Sequence, residues 1–584
     1  MRILFVFFIL LIANSSLAHD YVPKEIDYEG IDLGSPMDIP LILSGNFCEM
    51  RSNHWHTGLD IKTNGGEGYK LRSVEEGYIS RIKVSPWGYG LAIYVDHPNG
   101  LTSVYAHISK WPKKVDSLVY AKQLKNESWV LDENVLADSV YVKRGELIAY
   151  SGNTGGSLAP HLHFEIRETE TEHVLNPLKF KCYRDMIQDK TKPTLSGVKV
   201  YAVDRNGYMI PGRSKYYKCA LLNGNWIINE NNPIDVSDLM TENGFLAFGF
   251  HTTDKLDGAR NVCGVHHTYL YQEDNLIHEQ ISEYMIFSVN RFINSHKDYF
   301  EFKQNRRNIH KNYITPVNEM PMYPVHNGLV PWDRVKGNYR FTAVDVHGNK
   351  NTITFKIGDA RGELKPNPFD NGDDYYFPDS VNVVLYPNFQ LLMEKGSFYE
   401  PLQKRYRVDS NSRYLTPKHV FSEYSIPVQK YFDVRMKVPD SIQGIADYKL
   451  GIGLYTNKGY LSFLGGDYID GWVEAKSRNF GEFVMVMDTV SPLIKKLDYA
   501  ENKTITKYRT LELNINDNLS GVTRYKAYIN GNWVLMKYMK KKRKYVIPLD
   551  ERSKIHLKKG KNKIRVWARD RTGNESEDIT TVVY

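Results

Sequence analysis

The chain has 584 residues and a mass of 67.6 kDa, which corresponds to about four domains at roughly 150 residues each. Apolar residues make up 42% and charged residues 25% of the sequence, a balance that excludes a disordered or collagen-like chain. The net charge of +8 is small for this length, so a nucleic-acid partner is not expected. The 41 tyrosines favour the half-buried surfaces of β-sheets, and we expect a mainly β protein.

Residues 1–18 have the pattern of a secretory signal peptide. Arg2 precedes an apolar run from Ile3 to Ala13, and small residues follow at Ser16 and Ala18. An uncleaved membrane anchor is the alternative, but the run is too short for a bilayer span, which takes about 20 residues. No longer apolar run occurs elsewhere. We therefore expect an extracytoplasmic chain, periplasmic or secreted, that is soluble once the signal peptide is removed.

Four cysteines follow this predicted leader. An even number in an oxidising compartment allows two disulfides. Cys48 and Cys182 bracket one segment of the chain, and Cys219 and Cys263 lie in the next, so we predict these two pairs. A zinc site built from the thiols is disfavoured, because no CxxC spacing occurs.

Alternating apolar and polar residues at 77–108 predict a succession of strands, and Pro98-Asn99-Gly100 predicts a tight turn between two of them. Residues 146–150 and 161–167 indicate a further pair of strands around a glycine-rich loop. The segment 108–141 is longer and more polar. It could form a lid or a wall of a groove, or a plain surface insertion.

Beyond residue 184 the chain contains a loose internal repeat. Each copy opens with Asp-x-x-x-Pro, carries an Asn-Gly-Asn-Trp turn and closes with Ala-x-Asp-x-x-Gly-Asn. The motifs lie at Asp189–Pro193, Asn223–Trp226 and Ala343–Asn349, and again at Asp488–Pro492, Asn530–Trp533 and Ala568–Asn574. Short strands and frequent turns predict two immunoglobulin-like β-sandwiches, the first with an insertion around residues 285–325.

Two short histidine motifs stand out, His56-Thr-Gly-Leu-Asp60 and His161-Leu-His163. Side chains on a strand repeat on one face every two residues, so each extended motif aims its two polar side chains the same way. Imidazole nitrogen and carboxylate oxygen suit zinc, which in catalytic sites keeps three protein ligands and a water. Three of these four residues could therefore bind one ion, and His107 could reach the same cleft.

The order of these motifs resembles the lysostaphin-type, or LytM-like, zinc metalloendopeptidases. The resemblance covers about residues 45–177 and includes Ser-Gly-Asn-Thr-Gly before Pro-His-Leu-His-Phe-Glu. It implies an antiparallel β-sheet core with a groove, a bound Zn²⁺ and hydrolysis of the peptide cross-links of bacterial peptidoglycan by a metal-activated water. The long segment after His107 departs from smaller members and leaves the shape of the groove open.

The roles known in that family match five positions of this sequence. His56, Asp60 and His163 match the zinc ligands. His161 matches the proposed general base, and His107 matches the histidine that supports the transition state by hydrogen bonding. No ligand is missing, so the resemblance implies a zinc endopeptidase; the alternative is a non-catalytic peptidoglycan-binding scaffold or an activator of other cell-wall hydrolases. A third possibility is a general extracellular protease.

Several residues near the motifs are assigned weaker roles. His54 is set aside as a ligand, because the register of the first motif starts at His56. Trp87 and Tyr89 could stack on substrate or pack in a turn, and the loop residues Asn153 and Thr154 could position substrate. The basic run Lys540–Lys544 is interpreted as a solvated hairpin tip, with attraction to anionic wall polymers as the alternative.

The sequence thus predicts a metallopeptidase module followed by two or three β-sandwich modules. Expected partners are peptidoglycan stem peptides and, through the C-terminal β modules, an envelope protein. The predicted segments are a leader at 1–18, an extended segment at 19–44, a zinc metallopeptidase domain at 45–185, a sandwich with an insertion at 189–360, a β-rich module at 365–487 and a second sandwich at 488–584.

Overall fold

The structure is a computed structural model, and it describes residues 26–584 except 137–139, 229–232, 325, 411–413, 443 and 445–446. The predicted leader at 1–18 lies outside the described residues. Strands dominate, and they surround four main hydrophobic cores that follow one another along the chain. The prediction of a mainly β protein is confirmed. No helix in the described part of the chain is long and apolar enough to cross a membrane.

The N-terminal module is built on an antiparallel sheet with the strand order β1-β2-β10-β6-β5-β4-β7. Its elements are β1 (Leu43–Gly45), β2 (Leu59–Lys62), β3 (Lys70–Arg72), β4 (Gly77–Val84), β5 (Leu91–Asp96), β6 (Leu101–Ala106), α1 (Lys113–Asn126), β7 (Leu131–Asn134), β8 (Tyr141–Val142), β9 (Leu147–Tyr150), β10 (His161–Glu168), β11 (Val174–Leu175) and α2 (Lys181–Met186). The segment before β1 completes the same core with Leu33, Met37 and Leu41.

Strand β10 organises this module because it pairs with β2 on one side and β6 on the other. Leu162, Phe164 and Ile166 on one face are fully buried in the main core. The alternate residues, including His161 and His163, therefore point to the opposite face. Because side chains alternate along the strand, one face of β10 packs in the core and the other carries its polar side chains.

The described residues of the segment 108–141 form helix α1 and strand β7. Val115 and Val119 of α1 pack into the main core. The outer face of the segment contacts the C-terminal module, where Asp116 pairs with Arg552. The segment is therefore an interface between two modules.

The second module contains a continuous run of strands in the order β17-β16-β21-β22-β14-β13-β12-β15-β19, and its two halves enclose one core. Across that core the rings of Phe250 and Phe341 stack with centroids 3.7 Å apart. Its elements are β12 (Thr194–Val203), β13 (Met209–Leu222), β14 (Asn225–Ile228), β15 (Phe245–Thr253), β16 (His267–Gln272), β17 (Asn275–Ile281), β18 (Tyr284–Met285), α3 (Ile293–His296), α4 (Tyr299–Asn305), β19 (Ile309–Lys311), β20 (Val330–Pro331), β21 (Gly337–Val344) and β22 (Lys350–Ile357).

The insertion predicted at 285–325 packs against the N-terminal module. Strand β18 pairs with β11 and so extends the main sheet of that module. Trp55, which is fully buried, donates its ring N–H to the sulfur of Met320 at 3.0 Å, and its backbone N–H donates to the side chain of Asn290. We call this contact region the Trp55 cluster; its apolar members are Phe47, Cys48, Met50, Trp55, Val174, Met285, Val289, Phe292, Ile293, Met320, Met322 and Tyr399.

The third module, left without a topology by the sequence, consists of two five-stranded sheets around one core, in the orders β24-β25-β29-β33-β32 and β27-β28-β34-β30-β31. Its strands are β23 (Tyr375–Tyr376), β24 (Asn382–Tyr386), β25 (Phe389–Met393), β26 (Leu402–Gln403), β27 (Tyr406–Asp409), β28 (Lys418–Phe421), β29 (Phe432–Lys437), β30 (Leu450–Tyr455), β31 (Leu461–Gly465), β32 (Asp467–Ile469), β33 (Trp472–Ser477) and β34 (Gly481–Met487).

The fourth module has two four-stranded sheets, β35-β36-β40-β39 and β38-β37-β41-β42, which share one core. Its elements are β35 (Leu493–Lys496), β36 (Thr510–Asn516), β37 (Val522–Ile529), β38 (Asn532–Val534), β39 (Lys537–Met539), β40 (Lys544–Pro548), α5 (Glu551–Lys554), β41 (Lys561–Asp570) and β42 (Glu575–Val583). The immunoglobulin-like assignment of this module and of the second module stays a prediction.

The predicted disulfides are wrong, because all four cysteines are free thiols. Cys48 lies in the Trp55 cluster, whereas Cys182 packs on the main core of the N-terminal module. Cys219 packs on the core of the second module, whereas Cys263 belongs to the main core of the N-terminal module. Each predicted pair is thus divided between two separate cores, and spacing along the chain could not show this.

The Trp55 cluster predicts that Trp55 contributes strongly to stability. Trp55→Ala should lower the free energy of unfolding by about 3–5 kcal/mol, because it removes a fully buried indole and leaves a cavity. Trp87→Ala is the matched control: its side chain is 57% exposed, and we expect a change below about 1 kcal/mol. Urea unfolding followed by circular dichroism measures both. Equal effects of the two substitutions would contradict the packing described.

Candidate metal and catalytic site

The candidate site lies on the polar face of the main sheet, where β2 and β10 run side by side. The register places His163 directly opposite Asp60 on β2, and Ala106 of β6 on its other side. The backbones approach closely at Gly58, where a Cβ atom would lie 2.4 Å from the carbonyl oxygen of Phe164. A side chain at this position would push the two strands apart and would separate the residues of the site.

Three atoms that could bind a metal ion lie close together at this point. His56 Nε2 lies 2.9 Å from Asp60 Oδ1 and 3.0 Å from His163 Nδ1, and the last two atoms are 3.0 Å apart. All three residues are at least nine-tenths buried. Ligands around a tetrahedral zinc at about 2.0–2.2 Å are separated by about 3.3–3.5 Å. The triangle is therefore close to the size that zinc requires.

A backbone carbonyl fixes the tautomer of His56. Its Nδ1–H donates to the carbonyl oxygen of Asn46 at 2.8 Å, which leaves the lone pair of Nε2 directed at the triangle. The side chain of Asn46 is itself held by two hydrogen bonds of 2.8 Å, to the carbonyl and from the N–H of Gly264. Gly264 belongs to the second module, so that module helps to position the imidazole.

A buried carboxylate fixes the opposite tautomer of His163. Glu165 is fully buried, and its Oε1 accepts from His163 Nε2 at 2.8 Å and from the hydroxyls of Thr57 and Tyr89, each at 2.6 Å. Its other oxygen pairs with Arg167 at 2.6 Å. Because Nε2 is engaged, Nδ1 is the nitrogen of His163 that faces the triangle. Such outer partners orient metal-binding histidines and raise their basicity.

The charges of the site favour a cation at its centre. Burial disfavours a charged His163, but its hydrogen bonds to Asp60 and Glu165 outweigh this effect and raise its pKa to about 9. Burial also opposes charge on Asp60, yet the neighbouring histidines hold the pKa of this carboxyl well below its usual range. Burial lowers the pKa of His56. A proton on His163 Nδ1 is thus held by the same atoms that would hold a metal ion.

Arg51 supports the third donor. Its guanidinium lies 2.8 Å from Asp60 Oδ2, so the carboxylate is held by one oxygen and presents the other to the two histidines. His54, which the sequence set aside, is exposed and takes no place in the triangle. It contacts Asn53 instead.

His161 and His107 lie beside the triangle. His161 Nε2 is 3.3 Å from Asp60 Oδ1, while its Nδ1 donates to the carbonyl of Ala159 at 2.8 Å. The His107 ring packs edge-on against His161 with centroids 4.8 Å apart, and its Nδ1 donates to the carbonyl of Thr154 at 2.9 Å. The Nε2 atom of His107 therefore remains for substrate or water, whereas Nε2 of His161 lies at the edge of the triangle beside Asp60.

His107 occupies a strained backbone position, with φ at 60°. A non-glycine residue in this left-handed region is uncommon and is a feature of functional sites. The hydrogen bond from its backbone N–H to the carbonyl of Tyr89, at 2.9 Å, holds it there. Burial and the neighbouring histidines His163 and His161 lower the pKa of His107 to about 3, so its ring is neutral.

The loop before β10 supports the site through its backbone. The carbonyl of Thr154 fixes His107, and its hydroxyl accepts from the N–H of Leu91 at 3.0 Å and donates to the carbonyl of Ile108 at 2.9 Å. Thr154 is therefore a positioning residue in this structure. The sequence had suggested a contact with substrate instead.

The basic run after residue 539 contacts the N-terminal module. Lys541 donates to the backbone carbonyl of Asn153 at 2.5 Å, and Lys540 lies over the ring of Trp87 at 4.3 Å. These two contacts place the fourth module against both loops that flank the site. Lys541, Lys542 and Arg543 are nevertheless exposed, so the tip is solvated as predicted while two of its lysines contact the N-terminal module.

Five supporting residues were not singled out from the sequence: Asn46, Arg51, Thr57, Glu165 and Arg167. Glu165 and Arg167 continue the two-residue period of His161 and His163 along β10, so the strand pattern contained a signal for them. Asn46 and Arg51 act from a loop of irregular structure, and no local pattern marks them.

Comparisons with known proteins find similarity in two parts of the chain. Residues 130–177 match the model of peptidase family M23, and residues 374–488 match that of a Zu5-like domain. Over 112 residues the chain is 30% identical to the DD-carboxypeptidase/endopeptidase Mpg of Neisseria meningitidis, which covers 19% of this chain and 20% of that relative. Over 126 residues it is 31% identical to an uncharacterized metalloprotease of Haemophilus influenzae, with 22% and 21% covered. The chain thus spans about a fifth of the length of these curated relatives.

Parts of two solved structures are similar to part of this chain. The catalytic domain of the antimicrobial peptidase lysostaphin from Staphylococcus simulans is 24% identical over 23% of this chain and 87% of that chain, with a TM-score of 0.18. A zinc-containing peptidase from Vibrio cholerae is 23% identical over 23% of this chain and 36% of that chain, with a TM-score of 0.17. The family match and the curated relatives confirm the predicted resemblance of the N-terminal module to peptidase family M23 and its LytM-like members.

Proposed function

We propose that this chain is a zinc-dependent endopeptidase that hydrolyses peptide cross-links of bacterial peptidoglycan outside the cytoplasm. The observation that carries the proposal is the buried triangle of His56 Nε2, Asp60 Oδ1 and His163 Nδ1. The family match supports peptidase chemistry, and the name of the Neisseria relative, a DD-carboxypeptidase/endopeptidase, supports a peptide-bond substrate in the cell wall. The predicted leader supports the location.

In this proposal the three atoms of the triangle hold the ion. When bound, zinc would polarise the scissile carbonyl and lower the pKa of the attacking water. The protein supplies the rest, because Asn46 and Glu165 keep each ligating nitrogen directed inward. Strand pairing and burial hold these groups in place before substrate arrives.

His161 is placed to move the proton. Its Nδ1–H is engaged by the carbonyl of Ala159, so Nε2 carries a lone pair at the edge of the triangle. This atom would accept the proton of the attacking water as the carbon–oxygen bond forms. It would then return that proton to the amine nitrogen of the leaving peptide, and general acid–base transfer of this kind contributes about 10²–10⁴-fold to rate.

The tautomer of His107 refines the role that the family resemblance implies. With Nδ1–H bound to the carbonyl of Thr154 and a neutral ring, its Nε2 carries a lone pair and no hydrogen. His107 would therefore accept a hydrogen bond from the attacking water and orient it. It could donate to the developing oxyanion only after it gains a proton, which the acidic pKa of its ring disfavours.

Digestion of purified peptidoglycan by the zinc-loaded chain tests the proposed activity directly. Mass spectrometry should show cross-linked muropeptides converted to monomers with new free amino groups. Casein digested in parallel distinguishes a general protease. If cross-linked muropeptides keep their proportion while zinc is bound at one ion per chain, the catalytic proposal fails and a binding role remains.

Three substitutions separate metal binding from proton transfer. His163→Ala should abolish both zinc retention and hydrolysis, because it removes one vertex of the triangle. His161→Ala should keep one zinc per chain but lower kcat by about 10²–10⁴-fold. The exposed neighbour His54 provides the matched control, and His54→Ala should retain both zinc and activity. Zinc content by elemental analysis, with turnover, measures all three; full activity of His161→Ala would contradict the assigned proton path.

Zinc binding should release about one proton at pH 7.5. His163 has a pKa near 9 in the metal-free chain, so it is protonated at pH 7.5 and must lose that proton to bind a metal. Binding should weaken by about tenfold for each pH unit below 9 over this range. Calorimetry in buffers with different ionisation enthalpies counts the protons. The absence of proton release at pH 7.5 would contradict the charge state assigned to His163.

A further inference from the structure

A second kind of site lies at the start of the second module. Asp189, Asp254 and Asp345 each direct a carboxylate oxygen to a common point, and these atoms lie within 4.8 Å of one another. The residues come from three distant parts of the chain: the entry to the module, the end of β15 and the turn after β21. All three are at least nine-tenths buried, with exposed fractions of 7%, 2% and 4%.

Two oxygens of this group have no partner. Asp189 Oδ1 accepts from the backbone N–H groups of Thr191 and Asp257, but its Oδ2 is buried and accepts from no donor among the described residues. Asp254 Oδ1 is buried and unpartnered in the same way. An unpaired buried carboxylate oxygen is costly, and two of them belong to this one cluster of three carboxyl groups.

No positive side chain balances the group. Among the described residues, no lysine, arginine or histidine forms an ion pair with Asp189, Asp254 or Asp345. Burial and the neighbouring carboxylates raise the pKa of Asp254 to about 8 and that of Asp189 to about 6. The fold has therefore collected three carboxyl groups at one buried place without a positive side chain paired to them, so without a cation at least one of them tends to hold a proton.

The same arrangement recurs in the fourth module. Asp488, Asp517 and Asp570 also bring carboxylate oxygens within 4.8 Å of one another, and Asp517 Oδ1 is a buried atom without a partner. Asp488 and Asp570 occupy the same places in the internal repeat as Asp189 and Asp345.

The surrounding hydrogen bonds recur as well. Asn349 Nδ2 donates to Asp345 Oδ2 at 2.8 Å and to the backbone carbonyl of Asp189 at 3.1 Å. Its counterpart Asn574 donates to Asp570 Oδ2 at 2.7 Å and to the backbone carbonyl of Asp488 at 3.1 Å. Two modules far apart in sequence thus build the same cluster from the same motif.

We propose that each of these aspartate triads binds one calcium ion. Carboxylate oxygens are the hard ligands that calcium prefers, whereas zinc and softer metals favour imidazole and thiolate. Two oxygens on opposite sides of a calcium ion at about 2.3–2.6 Å are about 4.6–5.2 Å apart, so oxygens that lie within 4.8 Å of one another can share one ion. Calcium also tolerates flexible coordination, whereas magnesium demands near-ideal octahedral geometry and keeps several waters.

Calcium at these points would stiffen the joints between modules. Asp189 follows α2, the last helix of the N-terminal module, and Asp488 directly follows β34, the last strand of the third module. At the first joint His347 also binds the carbonyl of Ile187 at 2.6 Å. At the second joint Lys449 contacts Asn574 at 2.5 Å. Each ion would thus connect the first residue of a module to two loops of that module, close to the contacts with the preceding module.

The test is calcium binding by the full chain, first stripped of divalent ions and then reloaded with one zinc. Equilibrium dialysis against calcium chloride up to about 1 mM, the weak limit for extracellular calcium modules, should give two calcium ions per chain. Asp254→Asn and Asp517→Asn should each remove one ion, and the double variant should bind none. Asp274→Asn, at an exposed turn of the second module, is the control and should keep both.

Thermal unfolding distinguishes a metal site from a merely structural cluster. Calcium should raise the Tm of the wild-type chain and leave that of the double variant unchanged. Without calcium, the double variant should be about as stable as the wild type, because each asparagine keeps the shape and one acceptor oxygen of the aspartate that it replaces. Absence of calcium binding by the wild type, two ions retained by the double variant, or magnesium bound in preference to calcium would overturn the proposal. None of these outcomes bears on zinc or on peptide hydrolysis.

Discussion

The candidate site depends on one constraint: one ring nitrogen of each histidine is held by an acceptor within the protein, so the other nitrogen must face the centre. For His56 the acceptor is the carbonyl of Asn46, and for His163 it is the carboxylate of Glu165. As a result, Nε2 of His56 and Nδ1 of His163 face the centre of the site. With Asp60 between them, three electron pairs converge on one point, which requires a positive charge.

The rest of the chain extends this support outward from the site. The second module holds the loop before His56, through Gly264 on Asn46 and through the Trp55 cluster. The fourth module rests on the opposite loops, where Lys541 contacts Asn153. The two aspartate triads at the module joints likewise combine clustered carboxyl groups with fixed hydrogen bonds. The second and fourth modules therefore help to hold the loops of the site in place.

Much of the site could be read from the sequence because strand periodicity is local. The spacing in His161-Leu-His163 fixes two side chains on one face of β10, and the same period extends to Glu165. The mainly β class and the LytM-like family followed from composition and motif order. The cysteine pairing failed, because which core a cysteine enters depends on how modules pack. Contacts such as Asn46 with Gly264 join residues 218 positions apart, and no local pattern encodes them.

The most direct test of this account is the position of zinc, located by anomalous diffraction from crystals of the zinc-loaded chain. The account predicts that the strongest zinc peak lies at about 2.0–2.2 Å from His56 Nε2, Asp60 Oδ1 and His163 Nδ1, with Glu165 still bound to His163 Nε2. A strongest peak bound through His163 Nε2, or one at other residues, would contradict the claim that these fixed tautomers create the site.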